Sequence, residues 1–266
     1  MHFELRESTM VPIVDLSGKR GLVAGIANDH SIAAGCAAAF KQAGADLAIT
    51  YLNDKAEPFV RPVAESLDAS IFVPCDVRIS GQLERVFETI ANQWGRLDFL
   101  LHSIAFAPRE DLHTSLVNCS AEGFALAMDV SCHSFIRMAK HAAPLMTRGG
   151  CLLTVTFYGA DRVVDNYNLM GPVKAALESS VRYISAELAE QKTRAHAISA
   201  GPVKTRAASG INRFDELLDD VRRRTPAGRL VALEEIGRIA AFLASDVGAP
   251  LTGSVVYADY GFHTIA

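Results

Sequence analysis

Residues 156–174, TFYGADRVVDNYNLMGPVK, hold two tyrosines, Tyr158 and Tyr167, and a lysine, Lys174, seven positions beyond the second. On a helix that spacing is nearly two turns, so Tyr167 and Lys174 would project from one face, about 10 Å apart along the axis. An ammonium near a phenol stabilises phenolate and lowers the tyrosine pKa, which suits proton donation at neutral pH. A cofactor ribose would fill the rest of the gap. A core tyrosine with a snorkelling lysine has the same spacing, so the surrounding elements must decide.

Short apolar runs alternate with longer helical patterns along the whole chain. GLVAG (21–25), DLAITY (46–51), SIFVPCD (70–76), LDFLLHS (97–103), GCLLTVTF (150–157), RAHAIS (194–199) and SVVYA (254–258) read as strands. Most are continuously apolar, as parallel strands covered on both faces are. Helical patterns fill 31–44, 55–68, 80–94, 121–146, 167–190, 215–224 and 233–245. The alternation predicts an α/β chain: a single doubly wound (Rossmann) domain, its parallel sheet of about seven strands covered by helices on both faces. Residues 200–230 break the pattern and read as a lid over the carboxyl ends of the strands.

In such a fold the Tyr167–Lys174 pair follows the fifth strand, where it reads as chemistry. Upstream features suit a dinucleotide. The first strand runs into GIANDHSIAAG, a glycine-poor phosphate loop with Gly25 and Gly35 ten apart. Ser31 is placed to cap the next helix, whose free N–H groups suit a pyrophosphate. The second strand ends in TYLND. Leu52 and Asn53 offer no cation for a 2′-phosphate, and Asp54 and Lys55 roughly cancel, which favours NADH over NADPH. Asp76, ending the third strand, could hold an adenine edge or simply form a turn. His102-Ser103-Ile104-Ala105 ends the fourth strand at the switch point, where small residues permit close approach of a cofactor. His102 itself reads as structural.

Composition removes other classes. Half of the 266 residues are hydrophobic and 21% are charged, enough for a sizeable core. The net charge of -4 gives no general pull toward nucleic acid or anionic membrane, and Arg222-Arg223-Arg224 reads as a solvated helix face. Five widely spaced cysteines and eight histidines show no metal-ligand spacing, so no metal is expected. No apolar run reaches signal-peptide or membrane-spanning length, and a soluble cytoplasmic protein is expected.

Tyr167-x6-Lys174 on this fold resembles the signature of the short-chain dehydrogenase/reductases. More closely, GIANDHSIAAG, CDV, HSIAFAP, NYNLMGPVKAALE, VRYISAEL, AISAGPVKT and AASGI resemble the NADH-dependent enoyl-acyl-carrier-protein reductases of bacterial type II fatty-acid synthesis. These matches recur in order from about residue 17 to 262. The resemblance implies hydride transfer from NADH to the β-carbon of a trans-2-enoyl thioester carried on acyl-carrier protein or coenzyme A. Tyr167 would stabilise the enolate and Lys174 would bond the nicotinamide ribose. Gly25, Ser31, Ile32, Asp76, Val77, Ser103, Ile104, Ala105, Val203 and Thr205 would line the cofactor site, and Phe157, Tyr158 and Met170 the substrate pocket. It further implies a homotetramer, an N-terminal extension over 1–16, a reductase domain over 17–266 and a substrate-binding lid over about 203–224.

The chain also departs from that family. Its relatives generally read TYLGAERV where this chain has TFYGADRV, so the family's first active-site tyrosine falls on Phe157 and an aliphatic position on Tyr158. Along a strand, consecutive side chains face opposite sides, so Tyr158 is not expected to replace the lost hydroxyl. Pro172 either kinks a helix that begins near Tyr167 or sits in the permissive first turn of one that begins near Met170. Tyr260 stands where the family has glycine. Two other readings stay open: a carbonyl reductase or alcohol dehydrogenase, with Thr154 or Thr156 orienting the carbonyl, and a non-catalytic NADH-binding paralogue.

Overall fold

Runs of Leu, Ile, Val and Ala give the chain strands that must be covered on both faces, and seven of them pair into one sheet. They are β1 (Arg20–Ala24), β2 (Asp46–Tyr51), β3 (Ile71–Pro74), β4 (Phe99–His102), β5 (Gly150–Thr156), β6 (Thr193–Ala200) and β7 (Ser254–Ala258). Their order is β3-β2-β1-β4-β5-β6-β7, with every pairing parallel. The chain therefore reverses its direction of travel between β1 and β4, which opens a crevice at the carboxyl ends of those strands. The structure, a computed structural model, describes residues 13–205 and 208–265. Residues 1–12 of the expected N-terminal extension and 206–207 of the expected lid lie outside the described residues. Leu16, at the boundary set for that extension, is fully buried, and its N–H donates to Ala43 O.

Nine α-helices among the described residues cover the sheet: α1 (Ile32–Gln42), α2 (Glu57–Ser66), α3 (Gln82–Trp94), α4 (Arg109–His113), α5 (Ala121–Met128), α6 (Ser134–Ala142), α7 (Met170–Glu187), α8 (Phe214–Arg224) and α9 (Leu233–Ala244). One apolar core joins the sheet to α3, α6 and α7, and the other joins it to α1, α2 and α9. A Cβ on Gly237 would come within 2.4 Å of Gly35 O, so α1 and α9 touch backbone to backbone. Gly35 thus serves helix packing rather than the phosphate loop. No described helix is long and apolar enough to cross a membrane.

Two helices expected to be continuous are not. The pattern over 121–146 divides into α5, a π-helical turn (Asp129–His133), α6 and a 3₁₀ turn (Ala143–Leu145). The pattern over 167–190 becomes α7 only at Met170, so Tyr167 precedes the helix that carries Lys174. Pro172 is then the third helical residue, where its missing N–H removes no intrahelical bond.

Candidate active site

Gly25 ends β1 with φ +109, and a Cβ there would come within 2.2 Å of Ser103 O. Glycine is required for that approach, and it brings the first phosphate-loop turn and the loop after β4 into one crevice. At its edge α1 begins at Ile32 with no side-chain cap and no acidic residue in its first turn. The cap expected of Ser31 does not form, because its hydroxyl donates to Asn28 O at 2.6 Å inside the turn. The first N–H groups of the helix and its positive dipole end therefore face no competing carboxylate on α1, an arrangement that fits a pyrophosphate.

Of the two roles open to Asp76, the structure shows the turn. Its Oδ1 accepts from Arg78 N and Nε at 3.0 and 2.9 Å, and its Oδ2 accepts from Arg78 Nη2 at 2.6 Å. Those bonds hold its carboxyl below the usual carboxylate range. Next to it, Val77 O accepts from Arg137 Nη1 at 2.8 Å. At the end of β2, Asn53 Oδ1 accepts from Lys55 N and Ala56 N at 3.1 Å, which commits it to starting α2.

His102 ends β4 fully buried, opposite Thr154 in the β4–β5 register. Its Nδ1 lies 2.8 Å from Thr154 Oγ1 and its Nε2 lies 2.8 Å from Ser134 Oγ. Burial, aided by the Lys174 charge, brings its pKa down to about 3. A ring held neutral and bonded on both sides is structural, as its strand position suggests. Beyond it Ser103 N donates to Ala24 O at 2.8 Å, Ile104 packs against the core and Ala105 is exposed.

The other wall starts where β5 stops. Phe157 is extended and Tyr158–Ala160 form a 3₁₀ turn, so strand alternation ends before it can separate the two rings. This corrects the expectation that they face opposite sides of the sheet. Their centroids lie 4.7 Å apart, edge to face. Phe157 also meets the edge of Tyr167 at 5.0 Å, and Tyr158 meets Phe262 at 5.0 Å. Burial raises the Tyr158 pKa, and the charges acting on it are Arg224 and Asp220 of α8 and Asp165.

Tyr167 sits in a turn between Asn166 (φ +64) and Asn168 (φ +43), and asparagine is among the few residues that tolerate this region. Asn168 Nδ2 anchors the turn to Leu112 O at 2.7 Å. A Cβ on Gly159 would come within 2.6 Å of the Tyr167 ring, so only glycine lets the ring lie on that turn. Burial and the Glu178 carboxylate push the Tyr167 pKa up. This reverses the expected lowering by Lys174, because removing phenolate from water and the Glu178 charge both disfavour the ionised phenol. Lys174 is itself buried, its Nζ donates to Val155 O at 2.7 Å, and burial brings its pKa down to about 8. One turn further, Glu178 Oε1 accepts from Thr156 Oγ1 at 2.7 Å, and burial raises its carboxyl pKa. Lys174 and Glu178 thus staple α7 to consecutive residues of β5.

Met170 is buried at the start of α7, and two more of the expected site residues follow β6. Val203 packs against the second core, and Thr205 Oγ1 accepts from Ala208 N at 3.1 Å. Lys204, Thr205, Ile211, Arg213, Phe214, Asp215 and Glu216 line an open cleft of about 580 Å³.

A family model described as enoyl-(acyl carrier protein) reductase matches residues 25–263. The chain belongs to the enoyl-acyl-carrier-protein reductase family. It is 45% identical to the NADH-dependent enoyl-acyl-carrier-protein reductase of a Nostoc species over 94% of this chain and 98% of that relative. It is 43% identical to the Escherichia coli enzyme of the same description, over 94% and 96%. A crystal structure of the Anaplasma phagocytophilum reductase in complex with NAD superposes with a TM-score of 0.90 at 43% identity, covering 94% of this chain and 95% of that one. The family and the doubly wound fold read from the sequence are therefore both correct.

Within this reductase fold the sequence-selected residues fall in two groups. Gly25, Ser31, Ile32, Asp76, Val77, Ser103, Ile104 and Ala105 edge the β1–β4 side, while Phe157, Tyr158, Tyr167, Met170 and Lys174 cluster beyond β5. Sequence reasoning passed over Ser131, Ser134 and Glu178, all bonded into these walls. The available signal was polar: Ser131 and Ser134 interrupt an otherwise apolar helix face, and Glu178 lies four residues beyond Lys174.

Proposed function

We propose that the chain reduces a trans-2-enoyl thioester on acyl-carrier protein, or on coenzyme A, to the saturated thioester at the expense of NADH in type II fatty-acid synthesis. The observation that carries this reading is the burial of Tyr167 and Lys174 together beside β5 while Thr154 and Thr156 are committed elsewhere. Thr154 bonds His102 and Thr156 bonds Glu178, so neither is placed as the free hydroxyl that carbonyl reduction would use. NADH would supply the hydride taken up at the β-carbon. Tyr167 then donates a hydrogen bond to the thioester oxygen as negative charge builds there. Its raised pKa keeps it a donor throughout the neutral range. Lys174 would hold the nicotinamide ribose, the α1 N-terminus would carry the pyrophosphate, and the Phe157 ring would keep water from the reacting carbon. The family supports a homotetramer working in the cytoplasm, its carrier-bound substrate entering beneath the lid over about 203–224.

The test offers NADH with crotonyl and longer trans-2-enoyl thioesters and, separately, with ketoacyl thioesters, and follows loss of NADH absorbance. Turnover of enoyl substrates alone is expected. Turnover confined to ketoacyl substrates, or NADH binding without turnover of either, overturns the reading.

A further inference from the structure

The π-helical turn between α5 and α6 takes up one more residue than an α-helical turn does, and such turns recur at functional sites. Here it aims the fully buried Ser131 at the loop after β4, and the fully buried Ser134 that opens α6 meets His102 at the end of β4. Ser131 Oγ accepts from Phe106 N at 2.9 Å and donates to Phe106 O at 3.0 Å, satisfying both main-chain groups of one residue. Ser134 Oγ donates to Val130 O at 2.6 Å. That spends its single proton, so the 2.8 Å contact with His102 must be donated by the imidazole Nε2–H. His102 Nδ1 is then an acceptor and takes the Thr154 hydroxyl proton at 2.8 Å. One serine proton at the start of α6 fixes the tautomer of a buried histidine on β4.

These bonds bracket the loop. Ser134 holds the strand end just before it through the His102 ring, and Ser131 holds its far end at Phe106. Between the two anchors lie Ser103, Ile104 and Ala105, and Ser103 O forms the contact that requires glycine at position 25. A free loop of this length would pay ordering entropy when a ligand bound, and a pinned one has paid it on folding.

We infer that the π-helical turn is a positioning device for the cofactor-facing loop, and that Ser131 is the positioning residue that sets affinity for NADH. The inference rests on the proposed NADH-dependent function for its ligand, but not for its geometry. Ser131 touches neither cofactor nor substrate in this account; it acts through the Phe106 backbone.

The experiment compares full-length wild type with Ser131→Ala and Ser131→Cys, using NADH binding by fluorescence, steady-state kinetics and amide hydrogen exchange at Phe106. Ser131→Ala should weaken NADH binding and raise its KM by about tenfold, the cost of roughly one to two lost hydrogen bonds. Its kcat at saturating NADH should stay within about twofold, and the Phe106 amide should exchange faster. Ser131→Cys keeps the shape with a poorer donor and acceptor, and should fall between. A folded Ser131→Ala protein with unchanged NADH affinity and Phe106 exchange overturns the inference. So does a Cys variant indistinguishable from wild type beside a weakened Ala variant, since volume would then be what matters. A wild-type chain that does not bind NADH defeats the functional reading, and Phe106 exchange then decides the positioning claim alone.

Discussion

The two walls of the site are held by different forces. On the β4 side, side-chain hydroxyls and an imidazole bond the loop at its His102 and Phe106 ends, with donor–acceptor distances of 2.8–3.0 Å. On the β5 side, Phe157, Tyr158, Tyr167 and Phe262 meet edge to face at 4.7–5.0 Å. A buried hydrogen bond fixes an atom and leaves an expensive orphan when its partner is lost. A ring contact fixes a volume and tolerates exchange of its hydroxyl for hydrogen. Two of the departures read from the sequence, Phe157 and Tyr158, fall on the tolerant wall. The wall assigned to the cofactor in the proposed reading is the one built from directional hydrogen bonds.

The contrast breaks first at Tyr167, the one aromatic whose hydroxyl is assigned chemistry. Tyr167→Phe should lower kcat/KM for an enoyl thioester by about 10²- to 10⁴-fold, while circular dichroism and thermal midpoint stay close to wild type because the ring contacts remain. A loss similar to that of Tyr158→Phe would remove Tyr167 from the mechanism. Lys174 sharpens the same point through pH. With a pKa near 8, its amine loses charge above that value, and kcat/KM should fall about tenfold per pH unit on the alkaline side. Stability moves the other way. The lysine pKa is lowered from 10.5 on folding, so between about 8 and 10.5 the unfolded chain keeps a proton that the folded chain has released, and this group's contribution to stability rises with pH. Activity and stability profiles that fell together there would point to global unfolding instead.

The hydrogen-bonded wall should answer in stability. Thr154→Val leaves His102 Nδ1 buried without its donor, at a cost of about 1–3 kcal/mol, which lowers the thermal midpoint by roughly 3–10 °C. An unchanged midpoint would mean that the network is incidental. Acid gives an independent view. The His102 pKa falls from 6.5 to about 3 and that of His196 from 6.5 to about 4, both chiefly through burial. Below pH 6.5 the unfolded chain therefore takes up protons that the folded chain refuses, and stability should decline as pH falls toward 4.

Much of this was legible before any coordinates. The seven apolar runs became the seven strands within a few residues, since period and burial of parallel strands leave little freedom. Gly25, the 103–105 loop and Lys174 lie where their positions after β1, β4 and β5 put them, but the helical phasing that joined Tyr167 to Lys174 does not hold, because α7 begins only at Met170. Three features were not legible. The π-helical turn inside 121–146 has no periodicity that separates it from helix over five residues. The cap expected of Ser31 lost to a carbonyl three residues back. β5 ends at Thr156 and a turn begins at Tyr158, so strand alternation does not reach Tyr158; the boundary, not the residue type, sets this.

The smallest effects are expected on the aromatic wall, and there the comparison is most exposed. Phe157→Tyr restores the family's hydroxyl next to Tyr167 and should raise kcat/KM for short enoyl thioesters by roughly three- to tenfold, the worth of about one neutral hydrogen bond. A lower rate would show that the apolar ring is fitted to a different acyl group, and comparing short- and long-chain thioesters in both proteins would locate the change. Tyr158→Phe should do less, shifting kcat/KM by under about twofold, because the ring keeps its contacts with Phe157 and Phe262. The charges acting on its hydroxyl belong to α8 and Asp165 rather than to Lys174. If Tyr158→Phe instead matched Tyr167→Phe in severity, the turn after β5 would have moved the lost phenol one residue along the chain, and the aromatic wall would be as exacting as the hydrogen-bonded one.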